Sequence, residues 1–133
     1  MRKLVFIRHG KPVETECHHS LWTITDADKE RAKHIFQNKF TNYYCSTLQR
    51  AIDTAESIEP NEKWIKSKLF DEIEKPLEKD DIFKERVLLA LQFLNSHNSH
   101  TIIACHSRFM TYAYFYLKDE PIGGFDFLDW FEH

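Results

Sequence analysis

Lys3-Leu4-Val5-Phe6-Ile7, followed at once by Arg8-His9-Gly10, opens the sequence on a strand that stops at charged chemistry. The first five residues form a short apolar, β-branched and aromatic run with no breaker, the pattern of a buried strand. The run ends in a cation, an imidazole and the only glycine before residue 123. In an open α/β sheet, ligands bind at the carboxyl ends of the strands. A histidine flanked by an arginine at that edge stands where chemistry takes place. Three residues alone also fit a polar strand end entering a turn, so the rest of the chain has to supply the context.

Working outward, the 133 residues suffice for one domain, 1–133, and not for two. An apolar content of 42%, with eleven Phe, five Tyr and three Trp, fills one core. A formal charge of −3 gives no basic footprint for nucleic acid and no polybasic membrane signal. No apolar run reaches the length of a membrane span, and residues 4–7 are too short for a signal peptide. Cys17, Cys45 and Cys105 are odd in number and widely spaced. They are expected as reduced thiols of a cytoplasmic protein.

Residues 11–24 are irregular. Cys17-His18-His19 brings three metal-binding residue types together, but adjacent residues rarely converge on one ion, and no second cluster has zinc-ligand spacing. The segment is expected as a solvated loop near the site. Thr25 and Asp28 have the spacing of a helix cap, with Ala32, Ile35, Phe36 and Phe40 on one helical face and Asp28 among the solvated charges. Tyr43-Tyr44-Cys45 makes a second strand. Ser46 and Gln49 then have capping-box spacing before a helix with Leu48, Ala51, Ile52, Ala55 and Ile58 as its buried stripe. Arg50 lies in the first turn of that helix, off the stripe, where acids are the usual choice. The free N–H groups there favour anions, and a guanidinium adds a permanently charged fork.

Trp64-Ile65-Lys66 is a candidate third strand, followed by the acidic loop Leu69-Phe70-Asp71-Glu72-Ile73-Glu74-Lys75-Pro76. Any of its three carboxylates could serve as a proton donor if the fold brings it over the site. A helix follows Asp80-Asp81, with Phe83, Val87, Ala90, Leu91 and Leu94 on its buried face. His97 and His100 are expected on the surface. Thr101-Ile102-Ile103-Ala104-Cys105 repeats the opening pattern and ends in His106. The next helix turns Phe109, Met110, Ala113, Tyr114 and Leu117 to the core. The aromatic tail 121–133 is too apolar to hang free and is expected to dock on the sheet as an edge segment.

Strands alternating with helices predict a three-layer α/β/α sandwich around a mostly parallel central sheet. Parallel strands joined by crossovers share one carboxyl edge. On this architecture His9, Arg50 and His106 converge, with Arg8 beside His9. Two arginines, two histidines and a helix N-terminus describe an oxyanion site, and phosphoryl oxygens match arginine forks bidentately.

These residues resemble the histidine phosphatase superfamily, the phosphoglycerate-mutase-like fold. Arg8-His9-Gly10 matches its opening signature. Cys45-Ser46-Thr47-Leu48-Gln49-Arg50-Ala51 with Thr54-Ala55 resembles its Ser-x-Leu-x-Arg-Ala-x-x-Thr-Ala segment, and Ile103-Ala104-Cys105-His106 resembles the strand carrying its second histidine. The resemblance implies a phosphatase without metal or other cofactor. His9 would be the nucleophile that forms a phosphohistidine. Arg8, Arg50 and His106 would hold the phosphoryl oxygens. Glu72, in an apolar-x-Glu-apolar stretch, would be the acid, with Asp71 and Glu74 as rivals. The substrate would be a phosphorylated small molecule or a phosphoprotein.

The sequence also departs from the family pattern. Ser107-Arg108 replaces the glycine after the second histidine and is expected to crowd the pocket rim. Glu74-Lys75-Pro76 stands where a Gly-x-Trp-Glu-Gly stretch is usual, and Lys11-Pro12 replaces the Glu-Thr pair after the opening. No insertion large enough to cap the site is present, which disfavours a sugar-phosphate mutase. Three readings stay open: a phosphomonoesterase, a protein phosphohistidine phosphatase, and a degenerate member that binds phosphate without turnover.

Overall fold

A computed structural model describes residues 2–36 and 39–133. Strands β1 (Leu4–Arg8), β2 (Asn42–Cys45), β3 (Ile65–Lys66), β4 (Thr101–Cys105) and β5 (Trp130–Glu132) form one sheet in the order β3-β2-β4-β1-β5. The first four run parallel, and β5 pairs antiparallel with β1 at the edge. Helices α1 (Asp26–Ala32), α2 (Gln49–Ile58), α3 (Asp80–Asn95) and α4 (Ser107–Lys118) cover its faces.

Alternation along each strand creates the two cores. Leu4 and Phe6 of β1, with Ile103 and Cys105 of β4, pack under Phe83 and Val87 of α3 and Phe109 and Met110 of α4. Val5, Ile7, Ile102 and Ala104 face the other way, onto Ala32 of α1 and Ile52, Ala55 and Ile58 of α2. This is the expected three-layer sandwich. Phe6, Phe70, Phe83 and Phe109 are fully buried, each contributing about 1.5–3 kcal/mol of transfer free energy. The tail docks as expected: Phe131 stacks on Phe6 at 4.9 Å.

The register places the two histidines. Arg8 pairs with Cys105 across β1 and β4. His9 N–H continues the ladder to the Cys105 carbonyl at 3.0 Å, and Ser46 N–H reaches the Ala104 carbonyl at 3.0 Å. His9, His106 and Ser46 therefore leave three adjacent strands at one edge.

Four local expectations need correction. Helix α1 is capped by Thr25, whose hydroxyl accepts the Asp28 N–H, but it ends at Ala32, so Ile35 lies in the following turn and Phe36 just beyond it. The part of the longer helix that fell on residues 37 and 38 lies outside the described residues. Asp28 is buried, not solvated, because it accepts the Lys11 N–H at 2.7 Å and pairs with Arg31. Ser46 does not cap α2, which starts at Gln49 without a side-chain cap; its hydroxyl is engaged at the sheet edge. His97 and His100 are half-buried and partnered, by the Tyr44 hydroxyl and the Lys3 N–H respectively.

Candidate active site

His9 sits just beyond β1 and is only 4% exposed. Its Nδ1 lies 2.7 Å from its neighbour's carbonyl, that of Gly10, and its Nε2 lies 3.3 Å from Arg50 Nε. A guanidinium can only donate, so Nε2 accepts and Nδ1–H donates to the carbonyl. The imidazole is thus neutral, with its lone pair on Nε2. Burial, reinforced by Arg50 and Arg8 and only partly opposed by the Gly10 carbonyl, lowers its pKa from 6.5 to about 3.

The loop after His9 is fixed by close approach. Gly10 N–H donates to Thr54 Oγ1 at 2.9 Å, and that hydroxyl donates to the Arg50 carbonyl. A Cβ on Gly10 would stand 2.9 Å from Asp28 Cβ and 3.1 Å from Ile24 Cδ1. Glycine is needed there for space. Thr54 ties the loop after His9 to the turn of α2 that carries Arg50.

Arg8 reaches the same edge. Its Nη1 donates to the Phe125 carbonyl at 2.7 Å, and its guanidinium lies 4.2 Å from the centre of the Phe127 ring. Phe127 also stands 5.9 Å from the His9 ring. The tail therefore forms one wall of the site, a contribution the sequence did not reveal. Half-buried Arg50 also donates through Nη1 to the His19 carbonyl at 3.1 Å, which joins the irregular loop to the site.

His106 is fully buried, its ring centre 5.1 Å from that of His9. Its Nε2 lies 2.8 Å from Ser46 Oγ. Burial first, then the neighbouring His9, Arg50, Arg8 and Arg86, hold its pKa well below the usual imidazole value. Among the described residues, two buried side-chain nitrogens lack a partner: His106 Nδ1 and Arg8 Nε. Buried polar groups are almost always partnered, so these two nitrogens mark hydrogen-bonding capacity that the protein itself does not use.

The three candidate acids separate cleanly. Glu72 accepts the N–H groups of Arg108 at 3.0 Å and Phe109 at 3.1 Å, so its carboxylate sits on the N-terminus of α4 directly after His106. Burial raises its pKa, an effect that outweighs the hydrogen bonds from Arg108, Ile73 and Phe109. Asp71 is turned away, accepting from Ser46 and Thr47. Glu74 is exposed at the outer lip. Arg108 is exposed and its main chain holds Glu72, while Ser107 Oγ accepts the Phe125 N–H.

Arg86 of α3, also missed in the sequence, holds the acid loop. It donates to the carbonyls of Lys68, Leu69, Asp71 and Glu72 and pairs with Glu78 at 2.8 Å. A cleft of about 560 Å³ opens beside Arg50 and Glu72, bordered by His18, His19, Lys68 and Glu74. Among the described residues, no three His, Cys, Asp or Glu side chains gather as metal ligands would. None of the described helices is long and apolar enough to cross a membrane.

Neither a family model nor a curated protein matches this sequence. Solved structures do. A candidate alpha-ribazole-5'-P phosphatase from Escherichia coli K-12 superposes with a TM-score of 0.84 at 15% identity, covering 99% of this chain and 90% of that one. Phosphoserine phosphatase from Entamoeba histolytica gives 0.78 at 16% identity, covering 99% and 90%. Mycobacterial glucosyl-3-phosphoglycerate phosphatase gives 0.77 at 15% identity, covering 98% and 89%. The fold implied by the sequence resemblance is the fold of this chain.

Proposed function

We propose that this protein is a phosphatase that hydrolyses phosphomonoesters through a phosphohistidine on His9. One observation carries the reading. A buried, neutral imidazole with its lone pair on Nε2 stands between two cations, Arg8 and Arg50, in a site where Arg8 Nε and His106 Nδ1 have no protein partner. Such a site offers a nucleophile and donors for the oxygens of one tetrahedral anion. The fold shared with three phosphatases supports it.

In the first step His9 Nε2 attacks phosphorus as the bond to the ester oxygen breaks. Glu72, whose pKa burial raises, would give a proton to the departing alkoxide, a contribution of about 10²–10⁴-fold. Arg8, Arg50 and His106 stabilise the equatorial oxygens through that transfer. In the second step water attacks the phosphohistidine, Glu72 takes the water's proton, and the P–N bond breaks to release phosphate. The Gly10 carbonyl holds the Nδ1 proton throughout, so the ring becomes cationic when phosphorylated and neutral on release. No step calls for a metal.

A specific feature favours a second reading. Both Glu72 oxygens already accept backbone N–H groups, which favour the carboxylate form and oppose the effect of burial, so less of the proton-donating form is held ready. In a phosphoramidate such as protein phosphohistidine the leaving group is an imidazole, which departs more readily than an alkoxide and depends less on that proton.

The test is labelling with a ³²P-phosphomonoester quenched in alkali, where phosphohistidine survives. Label on wild type, none on His9→Ala and loss of turnover in that variant are expected. Unlabelled protein whose hydrolysis survives His9→Ala ends the reading. Absence of any turnover leaves a phosphate-binding protein. Glu72→Gln separates the substrates: a loss on alkyl phosphates supports the monoesterase, whereas turnover confined to phosphohistidine and indifferent to that change supports the second reading.

A further inference from the structure

His106 is linked to a carboxylate that the proposed chemistry does not use. Asp71 Oδ1 lies 2.7 Å from Ser46 Oγ and accepts the Thr47 N–H at 2.7 Å, while Oδ2 accepts the Thr47 hydroxyl at 2.7 Å. Ser46 is fully buried. Its hydroxyl has one proton, and the carboxylate takes it. Ser46 Oγ then accepts from both remaining neighbours, the Leu48 N–H at 3.1 Å and His106 Nε2 at 2.8 Å. The neutral ring must therefore carry its proton on Nε2. Its other nitrogen, Nδ1, is the one that is buried without a protein partner.

We propose that Asp71 is a positioning residue acting through Ser46: it locks His106 in the Nε2–H tautomer, presents Nδ1 to the phosphoryl group, and supports the imidazolium that forms when Nδ1 takes a proton to donate to a phosphoryl oxygen. The inference rests on the phosphatase reading of the site for its catalytic consequence, though not for the tautomer itself. The second proton comes from solvent or from the monoanionic substrate. It converts Nδ1 from an acceptor, which would repel an anion, into a charge-assisted donor.

The charges around the ring make this support necessary. Arg8 beyond β1, Arg50 on α2 and Arg86 on α3 all disfavour an imidazolium, as does any charge on His9. Asp71 and Glu72 lie on the loop after β3, and Glu72 is committed to the α4 N-terminus. Asp71 is the carboxylate joined to His106 by a continuous hydrogen-bonded path. Arg86 holds the Asp71 carbonyl at 2.7 Å, which fixes the carboxylate's origin.

Two variants separate the parts of the proposal. Asp71→Asn keeps an oxygen acceptor for Ser46 and Thr47 but removes the charge. Ser46→Ala removes the link. Imidazole ¹⁵N NMR of the resting protein is expected to show His106 as the Nε2–H tautomer in wild type and Asp71→Asn, and a mixture in Ser46→Ala. With inorganic vanadate added, wild-type His106 is expected to become doubly protonated, and Asp71→Asn to remain neutral or bind vanadate at least about tenfold more weakly. Thermal melts confirm that both variants are folded. On the hydrolysis assay kcat is expected to fall on the order of ten- to a hundredfold in each, the range of lost outer-shell partners of a working imidazole, with its acid limb displaced in Asp71→Asn.

Wild-type His106 found as the Nδ1–H tautomer overturns the inference. So does a Ser46→Ala protein with an unchanged tautomer, or an Asp71→Asn protein with unchanged vanadate protonation and an unchanged pH profile. The resting tautomer is read without turnover. A failure of the phosphatase reading, seen as absent labelling of His9, is therefore distinguishable from a failure of the link.

Discussion

Replacing His9 by Asn tests how the protein tolerates an imidazole it keeps uncharged. Burial and the two arginines move the His9 pKa from 6.5 to about 3. Between these values the unfolded chain binds a proton at this position and the folded chain does not. Unfolding free energy therefore rises with pH across the window. The stability tied to a neutral His9 is fully present above about pH 6.5 and is lost progressively as pH falls toward 3. The slope approaches about 1.4 kcal/mol per pH unit, so moving from about pH 8 to about pH 5 costs roughly 2 kcal/mol at this one residue. His106 acts in the same direction. Glu72 acts in the opposite one, because a carboxyl whose folded pKa is raised gains stability as pH falls through that value. Asn supplies an amide N–H for the Gly10 carbonyl and cannot be protonated. Urea unfolding of both proteins at the two pH values, in buffer free of phosphate, gives the comparison. The wild type is expected to lose roughly 2 kcal/mol more than His9→Asn, since the carboxylate contributions are common to both. Equal losses would refute the assignment of a strongly depressed His9.

Three further outcomes follow from the packing. Phe127→Ala removes the face on which the Arg8 guanidinium rests, an interaction of about 1 kcal/mol at a half-buried site. Vanadate affinity is expected to fall about fivefold, with Phe127→Tyr near wild type; calorimetry showing no change in Phe127→Ala removes the tail from the site. Arg86→Met breaks four contacts to carbonyls and leaves Glu78 half-buried and unpaired, so a destabilisation of about 3 kcal/mol is expected. Turnover of alkyl phosphates should fall more than vanadate affinity, because the acid loop loosens while the arginines at His9 remain; equal loss of both would refute that division. Gly10→Ala drives a methyl into Asp28 and Ile24, costing about 1–3 kcal/mol by overpacking, and an unchanged denaturation midpoint would show that the contact is soft.

How far these features could be read beforehand depended on whether they followed from one element or from several. The buried strands and the stripes of α2 and α3 were legible because each is a periodic pattern along a single segment. The meeting of His9 with His106 was legible from two like strand ends and the rule that parallel strands share an edge. It required β1 and β4 to be neighbours, which the order β3-β2-β4-β1-β5 supplies. Ser46 was misread because capping-box spacing with Gln49 is a local signal, whereas its partners, Asp71 and His106, lie 25 and 60 residues away. Asp28 was counted as surface charge for the same reason: the Lys11 N–H that draws it inward belongs to another segment. Arg86 and Phe127 carried no signal, since an arginine on a helix and an aromatic in a tail are unremarkable until the loop or strand end they touch is in place.

The choice of acid shows the limit most clearly. Three carboxylates within four residues are equivalent in composition, and no spacing rule ranks them. What separates them is direction. The backbone is extended at Asp71, and each of the three side chains meets different surroundings. Asp71 goes toward Ser46 and Thr47, Glu72 toward the free N–H groups of α4, and Glu74 to the lip. The family resemblance had placed Glu72 at the acid position. The structure adds the physical reason its neighbour is unsuited to that role. Asp71 has its oxygens filled by Ser46 and Thr47, which hold it away from Glu72's position and couple it to the second histidine. On the proposed chemistry two adjacent carboxylates have distinct tasks, one as proton carrier and one as a fixed charge behind an imidazole, and the difference arises from the partners each side chain meets.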